Sequence, residues 1–288
     1  MNDLFYVQKM ENASATASRP VARGLAPGRP TGGRGRRVVQ AVAILACAAA
    51  FAGCARDSGP PPPPPGAVPA GTSLGGAVIR GSVRFEGKAP PRKAISMTGE
   101  AACHKPNTLT LTEDVIVAPG GGLRNVYVHV VSGLGDRVFA APASPAVMDQ
   151  AGCMFVPHVL AVQSGQAITF QSSDPVLHNV RAVAKKNRAF NVSMPGKGKS
   201  VNKWFSEPEV VAIRCDVHAW MSGFIAVEGH PFHQVTGPDG SFSLEGLPAG
   251  EYVVEAWHEK LGAQRQTVKT ADGQPGTIEF IFPARTGG

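Results

Sequence analysis

Residues 215–221 read Cys-Asp-Val-His-Ala-Trp-Met, and this heptapeptide constrains the fold more than any other stretch of the chain. It holds a thiol at Cys215, an imidazole at His218 and a thioether at Met221, each three residues from the next. A short loop between two strands can direct these three side chains to one point while the incoming strand holds the cysteine in place. The heptapeptide therefore predicts a strand-loop-strand unit built around a metal ion.

A second histidine would complete the donor set of a type 1 copper centre, in which one Cys and two His lie in a plane with a distant axial Met. His178, within the sequence Asp-Pro-Val-Leu-His-Asn-Val at residues 174–180, is the expected supplier. Zinc is an alternative because Cys and His also bind zinc, although zinc sites rarely use a thioether. A further alternative involves no metal, since a lone buried Cys usually packs as a small hydrophobe.

From about Phe139 to Val227 the chain resembles the cupredoxins, and its Cys-x2-His-x2-Met loop is similar to the short ligand loop of the amicyanins. The resemblance implies one copper ion that alternates between Cu(I) and Cu(II). It also implies that Asn179 hydrogen-bonds around the ligand loop and steadies the cysteine sulfur. The ligands implied are His178, Cys215, His218 and Met221.

The short segments around this motif predict an all-β protein. Many short alternating runs are separated by Gly and Pro, and no window shows a long amphipathic helix, which together are typical of a β-sandwich. The expected strands are Val78–Phe85, Asn125–Val131, Ala146–Gln150, His158–Gln163, Ala167–Gln171, Asn179–Ala182, Val201–Phe205 and Val210–Cys215.

The end of the chain, residues 231–288, has a different pattern. Val235–Leu244 predicts a strand, a tight turn and a strand around a Thr-x-x-Asp-Gly-x-Phe motif at residues 236–242. Leu247–His258 predicts another turn and strand, with Leu-Pro-x-Gly-x-Tyr at residues 247–252. These motifs resemble the carboxypeptidase regulatory-like module, a small transthyretin-type β-sandwich. Two assignments of residues 77–135 stay open: they belong to this module, with the cupredoxin-like domain at 136–230 inserted between its strands, or they supply the first cupredoxin strands.

The N-terminal 53 residues have the features of an export signal rather than of a folded domain. Arg34, Arg36 and Arg37 precede an apolar run over residues 38–51, which is too short to span a bilayer comfortably. The run ends in Phe-Ala-Gly-Cys, which resembles a bacterial lipobox and predicts a lipid on Cys54. A weak twin-arginine signal, or a translation start later than Met1, is an alternative account of the long leader.

We therefore expect a bacterial lipoprotein in the periplasm or cell envelope, held to a membrane through Cys54. Residues 54–76 form a linker that includes the six prolines 60–65. A polyproline II helix rises about 3.1 Å per residue, so these prolines predict a stiff spacer of roughly 19 Å.

The charge of the chain argues against nucleic acid as a partner. Seven basic and two acidic residues lie in the first 53, so 21 basic and 19 acidic residues remain and leave a net charge of +2 out of the total of +7. No basic patch with interleaved aromatic residues follows the leader.

The other cysteines and histidines have simpler expected roles. Cys103 and Cys153 are expected to form a disulfide, as is usual outside the cytoplasm. The alternative is a further metal site at Cys103 with His104, or at Cys153 with His158. A second metal site is also conceivable at His158, His230, His233 and His258, but packing at a domain junction is the simpler expectation, and His129 is expected to be exposed.

The sequence thus predicts an electron-transfer protein rather than an enzyme. No nucleophile elbow, phosphate-binding loop or His-Glu-x-x-His motif is present. Four protein ligands leave no open position for a small-molecule substrate, so the expected partners are redox proteins. The alternatives are copper storage or delivery, and a structural surface lipoprotein with a degenerate copper site.

Overall fold

A computed structural model describes residues 59–97, 99–103 and 109–284. The leader and the predicted lipidation site at Cys54 lie outside these described residues. Within them every regular element is a strand, and no helix suited to crossing a membrane is found. The strands are β1 (Ala77–Glu86), β2 (Tyr127–Ser132), β3 (Ala146–Gln150), β4 (Phe155–Val156), β5 (Val159–Gln163), β6 (Ile168–Ser172), β7 (His178–Val183), β8 (Phe190–Met194), β9 (Ser200–Lys203), β10 (Glu209–Arg214), β11 (Ser222–Glu228), β12 (His233–Val235), β13 (Ser241–Leu247), β14 (Gly250–His258), β15 (Gly262–Thr270) and β16 (Gly276–Pro283).

Strands from both ends of the described chain form one sandwich, called here the terminal sandwich. Its two sheets have the orders β13-β1-β16 and β12-β2-β14-β15. Alternate residues of β16 are buried, as expected for a strand with one face on a core. The core between the sheets includes Leu123, Val128, Tyr252, Phe280 and Phe282.

The nine strands between β2 and β12 form a second sandwich, called here the inserted sandwich. Its sheets have the orders β5-β11-β10-β7-β8 and β4-β3-β6-β9. Its separate core includes Met148, Phe155, Phe170, Ile213 and Ile225. The chain thus leaves one sandwich, completes another and returns.

The all-β prediction is confirmed, and the expected strands of the inserted sandwich are present. Residues 77–135, whose assignment the sequence left open, contribute β1 and β2, which pair with β13, β16, β12 and β14 of the terminal sandwich. Strands β4, β8, β11, β15 and β16 were not among those expected. The first is two residues long, and β8 and β15 are mostly exposed or half-buried, so they lack a strong apolar alternation.

A segment between β1 and β2 reaches from the terminal sandwich to the inserted one. We call residues 92–97, 99–103 and 109–112 the cap. Its two arms pair through a hydrogen bond from Ile95 N–H to Thr110 C=O at 2.9 Å. Met97 and Cys103 of the cap are buried in the core of the inserted sandwich. A disulfide joins Cys103 to Cys153, with 5.5 Å between their Cα atoms.

The proline-rich linker lies against the fold over part of its length. Pro60 to Pro64 line a cavity of about 740 Å³ together with Phe139 and Gly165. Farther along, Val68 N–H donates to Val138 C=O, and Ala140 N–H donates to Val68 C=O, each at 2.8 Å. The expected spacer is therefore partly packed on the molecule it leads to, so its free reach is shorter than the sequence suggests.

Two glycines in left-handed backbone allow a test of the terminal sandwich. Gly240, in the turn before β13, has a φ of 83°, and a Cβ placed there would lie 2.8 Å from Leu123 N and closer still to Val83 O. Gly262, with a φ of 88°, has no atom within 4 Å of such a Cβ. We expect Gly262→Ala to cost about 1–2 kcal/mol of unfolding free energy through backbone strain alone.

Gly240→Ala should cost clearly more, because the β1 backbone and residue 123 must also move. Urea denaturation of both variants measures the difference. Equal losses would show that the close approach of the turn to β1 does not constrain the fold.

Candidate metal centre

The four predicted ligands lie at one end of the inserted sandwich because of how three strands are arranged. β7 begins at His178, and β10 ends one residue before Cys215. These strands are antiparallel neighbours, so the start of one and the end of the other are at the same edge. His218 and Met221 lie in the loop that joins β10 to β11.

Three of the four donors converge. The donor atoms of His178, Cys215 and His218 lie within 4.8 Å of one another, and all three residues are buried. Nδ1 of His178 is 2.9 Å from Nδ1 of His218. Cys215 Sγ lies 4.0 Å from His218 Nδ1 and accepts a hydrogen bond from the His218 backbone N–H at 3.4 Å.

Met221 closes the loop through its backbone. Its N–H donates to His218 C=O at 2.9 Å, and its C=O accepts from Cys215 N–H at 3.3 Å. Its side chain is fully buried in the same core as Cys215. The axial position assigned to its thioether from the sequence stays a prediction.

Asn179 connects the strand that carries His178 to the loop that carries the other donors. Its side-chain oxygen accepts from Asp216 N–H at 2.5 Å. Its amide nitrogen donates to Asp216 Oδ2 at 3.0 Å and to Asn191 Oδ1 at 2.6 Å. The residue next to Cys215 is thereby held against β7. The steadying of the cysteine sulfur that the resemblance implied for Asn179 stays a prediction.

The surroundings of Cys215 favour its thiolate form. Burial raises the pKa of the Cys215 thiol, but hydrogen bonds from the His178 ring and from the backbone amides of Asn179 and His218 lower it by more, so the pKa lies below its ordinary value. The thiolate is the form that binds metals.

The same surroundings shift the pKa values of the two histidines in opposite directions. Burial lowers the pKa of His178, but its hydrogen bonds to Cys215 and Asp174 raise it by more. Burial and the neighbouring charge of His178 lower the pKa of His218. The raised pKa of His178 and the lowered pKa of Cys215 thus favour an imidazolium beside a thiolate, and the lowered pKa of His218 favours its neutral ring.

Asp174 is a functional residue that sequence analysis missed. Its Oδ2 lies 3.0 Å from His178 Nε2, the ring nitrogen that faces away from the other donors. The same carboxylate accepts the backbone N–H groups of Gly152 at 2.7 Å and Cys153 at 2.8 Å. A carboxylate on the far nitrogen fixes the tautomer and orientation of a metal-binding histidine. The i, i+4 spacing of Asp174 and His178 was the available signal.

The outer edge of His218 is covered rather than open to solvent. Its Nε2 lies 4.0 Å from Cys103 Sγ and 4.0 Å from Glu100 Oε2, both in the cap. The Trp220 ring lies 5.0 Å from the His218 ring, and its Nε1 donates to Cys153 C=O at 3.1 Å. Trp220 therefore packs on the ligand loop and attaches it to the backbone of Cys153.

The residues present fit a copper ion. One thiolate and two imidazoles, all buried, form the soft trigonal donor set of type 1 copper sites. Among the described residues a second group of potential donors comprises Cys153, Asp174 and His178. Because Cys153 is bonded to Cys103, this second group has no thiolate to offer.

The other histidines of the described residues lie between the two sandwiches, whereas His104, and with it the alternative site at Cys103 and His104, lies outside the described residues. His129, which was expected to be exposed, is partly buried, so that expectation was wrong: its Nδ1 lies 2.5 Å from Glu228 Oε2 and its Nε2 lies 3.3 Å from Glu255 Oε1. His230 Nε2 donates to Val130 C=O at 2.9 Å. In the part of the chain that the structure describes, no three potential donors from this junction come as close together as the cysteine and two histidines do.

Comparisons with known proteins find solved copper proteins that are similar to part of the chain. Neither a protein-family model nor a curated protein matches the sequence. Among solved structures, the copper-containing nitrite reductase from Thermus scotoductus SA-01 aligns at 22% identity with a TM-score of 0.29. That alignment covers 35% of this chain and 25% of the reductase, so this chain spans about a quarter of the reductase's length.

Two small copper proteins align over nearly their whole length. A purple cupredoxin from Nitrosopumilus maritimus matches at 23% identity and a TM-score of 0.25, covering 29% of this chain and 99% of the cupredoxin. A reduced variant of amicyanin matches at 27% identity and a TM-score of 0.28, covering 35% of this chain and 98% of amicyanin. About a third of the chain is therefore similar to solved cupredoxins. The candidate metal centre rests on the positions of its donor atoms.

The role of Asp174 leads to a first prediction for the site. Asp174→Asn should lower copper affinity about 10- to 100-fold, because the amide supports His178 less well than the carboxylate does. Asp149→Asn is the matched control: Asp149 also accepts hydrogen bonds on this loop, from Ser173 N–H at 3.1 Å, but it is not among the hydrogen-bond partners of His178. Competition with a chromophoric chelator measures both affinities, and equal losses would contradict a specific role for Asp174.

The buried histidines lead to a pH prediction. Burial and the neighbouring His230 lower the pKa of His233 to about 4, and its Nδ1 is buried without a hydrogen-bond partner. The unfolded chain protonates this ring near pH 6.5 while the folded chain does not, so stability falls as the pH drops from about 6.5 towards 4. His233 should contribute about 2 kcal/mol of that loss between pH 7 and pH 5. Urea denaturation of wild type and His233→Gln at both pH values measures it, and parallel losses would contradict the assignment.

Proposed function

We propose that this protein binds one copper ion in the inserted sandwich and carries out one-electron transfer outside the cytoplasm. The observation that carries the proposal is the convergence of buried Cys215, His178 and His218 at one end of a β-sandwich. This donor set suits copper, and its burial leaves no open side for a substrate.

The chain's own residues have distinct roles in this proposal. Cys215, His178 and His218 would hold the ion, and Met221 would be its weak axial donor. Bound copper supplies a change between Cu(II) and Cu(I), which accepts or releases one electron. Asp174 orients His178, and Asn179 holds the ligand loop against β7.

The partners in this proposal are redox proteins that approach the metal end of the inserted sandwich. Leu177 and Val217 each precede a ligand histidine and are each 49% exposed. Exposed apolar side chains next to buried ligands give a partner a contact surface close to the metal. Two such side chains support brief docking rather than a permanent complex.

The site of action is proposed from the sequence. The arginines before an apolar run, and the Phe-Ala-Gly-Cys sequence that ends at Cys54, support export and a lipid anchor. The linker to residue 76 would then hold the two sandwiches close to a membrane surface.

Visible spectroscopy of the copper-loaded protein tests the proposal. An intense thiolate-to-Cu(II) band and a reversible potential are expected, and Cys215→Ser should abolish the band because the charge transfer begins on that sulfur. A colourless protein that binds Cu(I) tightly would instead favour storage or delivery. Retention of the band in Cys215→Ser would contradict the ligand assignment.

The axial role of Met221 has its own test. Met221→Leu should keep the band and raise the reduction potential, since loss of a weak axial donor favours Cu(I). Met148→Leu is the matched control, because Met148 is also fully buried in this core and has no expected ligand role. Voltammetry that finds the same potential in both variants would show that Met221 is not a ligand.

A further inference from the structure

The disulfide lies directly behind the histidines of the metal centre. His218 Nδ1 faces His178, whereas His218 Nε2 faces Cys103 Sγ at 4.0 Å. On the other side, donor atoms of Cys153, Asp174 and His178 lie within 4.8 Å of one another. The two histidines therefore lie between the donor atoms of the metal centre and the sulfurs of the Cys103–Cys153 disulfide.

A cavity borders this disulfide on the side of Cys103. This cavity of about 330 Å³ is lined by Cys103 together with Arg92, Leu109 and Met154. It lies between the cap and the chain that follows Cys153. A small thiol that enters this cavity meets Cys103 without passing through the copper ligands.

We propose that reduction of Cys103–Cys153 creates a second metal site, which takes Cu(I). A dithiol reductant transfers two electrons and two protons, so that its own thiols become a disulfide and the protein's disulfide becomes two thiols. Cu(I) then binds the two sulfurs as thiolates, and the two thiol protons leave to solvent. Where His218 already holds the first ion through Nδ1, its Nε2 proton leaves to solvent as well, so that Nε2 can bind the second ion. No change in the oxidation state of copper is needed.

The chemistry and the spacing both favour this ion. Thiolates are the soft ligands that select Cu(I), whereas disulfide sulfurs have no thiolate to offer. A metal that bonds sulfur at about 2.3 Å and imidazole nitrogen at about 2.0 Å can bridge donors up to about 4.3 Å apart. Cys103 Sγ and His218 Nε2, at 4.0 Å, fall within that reach, so His218 supplies the third donor.

The second site depends on the disulfide cysteines and His218, and it does not need Cys215. It adds to the proposed function, because reduction would raise the copper capacity of the protein from one ion to two. Cys215 is the free cysteine of the described residues, so the two sites can be separated by substitution.

Anaerobic titration of the full-length protein with Cu(I), in competition with bicinchoninate, tests the proposal. All proteins in the titration, including the one called wild type, carry Cys47→Ser and Cys54→Ser, so that no leader thiol contributes. The protein is used either untreated or reduced with dithiothreitol, which gel filtration then removes. Untreated protein should bind one Cu(I), and reduced protein should bind two. Reduced Cys215→Ser should bind one, and untreated Cys215→Ser should bind none.

Two further variants identify the ligands. Cys103→Ser and Cys153→Ser should each bind one Cu(I) after reduction, whereas Glu100→Gln should still bind two, because Glu100 lies as near to His218 Nε2 as Cys103 does but offers no sulfur. Circular dichroism of the strands and a thiol count of the reduced wild type accompany the titration, so the result does not depend on the variants' folding.

The outcomes separate the two proposals. Reduced wild type that binds no more Cu(I) than untreated protein would overturn the second site, as would a disulfide that resists reduction or strands that are lost when it opens. Untreated protein that binds no copper, while reduced protein binds one ion and loses it in Cys103→Ser, would overturn the Cys215 centre and leave the second site standing.

Discussion

The arrangement around the metal centre depends on two buried imidazoles, those of His178 and His218, whose Nδ1 atoms lie 2.9 Å apart. Two such nitrogens cannot both carry a proton in that contact, so either one donates to the other or a cation takes the place of the proton. Burying this pair is costly unless every other polar atom around it has a partner. Asp174 supplies a hydrogen-bond partner for His178 Nε2. The lowered pKa of Cys215 favours a thiolate, whose negative charge compensates a positive charge on His178. The site is thus arranged for a positive charge at its centre, which is the electrostatic requirement for holding a metal ion.

The terminal sandwich contributes to this centre although it provides none of the four predicted ligands. The cap leaves β1, places Cys103 and Glu100 over His218, and is bonded to the inserted sandwich through Cys153. A second connection runs through the half-buried His129, which lies between Glu228 of the inserted sandwich and Glu255 of the terminal one. Hydrogen bonding to His129, together with the nearby charge of His230, outweighs burial and lowers the pKa of Glu228 to about 2. The two sandwiches therefore meet through hydrogen-bonded side chains, through the ring contact of Phe224 with Trp257 and through one disulfide, and the disulfide is the contact beside the metal centre.

Much of the metal centre could be predicted because three of its predicted ligands lie within seven consecutive residues. The spacing of Cys215, His218 and Met221 fixes a short loop, and alternating apolar residues fix the strands on either side. Glu100 and the partners of His129 could not be predicted in the same way, since each depends on which distant segments the fold brings together. Asp174 was missed although its signal, the i, i+4 spacing to His178, is local. Strand β8 was missed for a related reason: it is an edge strand whose residues are mostly exposed or half-buried, so its sequence lacks the apolar alternation of a central strand. The sequence could not assign the segment 77–135, because the pairing of β1 with β16 joins residues about 200 positions apart, as between Ile79 and Gly276.

The way the donors are held supports the proposed electron transfer. Cys215 receives hydrogen bonds from the backbone of β7 and of its own loop, His178 is oriented by Asp174, and Trp220 attaches the ligand loop to Cys153. The donors are therefore positioned by several separate parts of the chain before any ion arrives. A metal in such a site has little freedom to change its geometry when its charge changes, so the reorganisation that slows electron transfer is small. In the proposed function the cap adds to this positioning, because Cys103 and Glu100 cover the outer edge of His218.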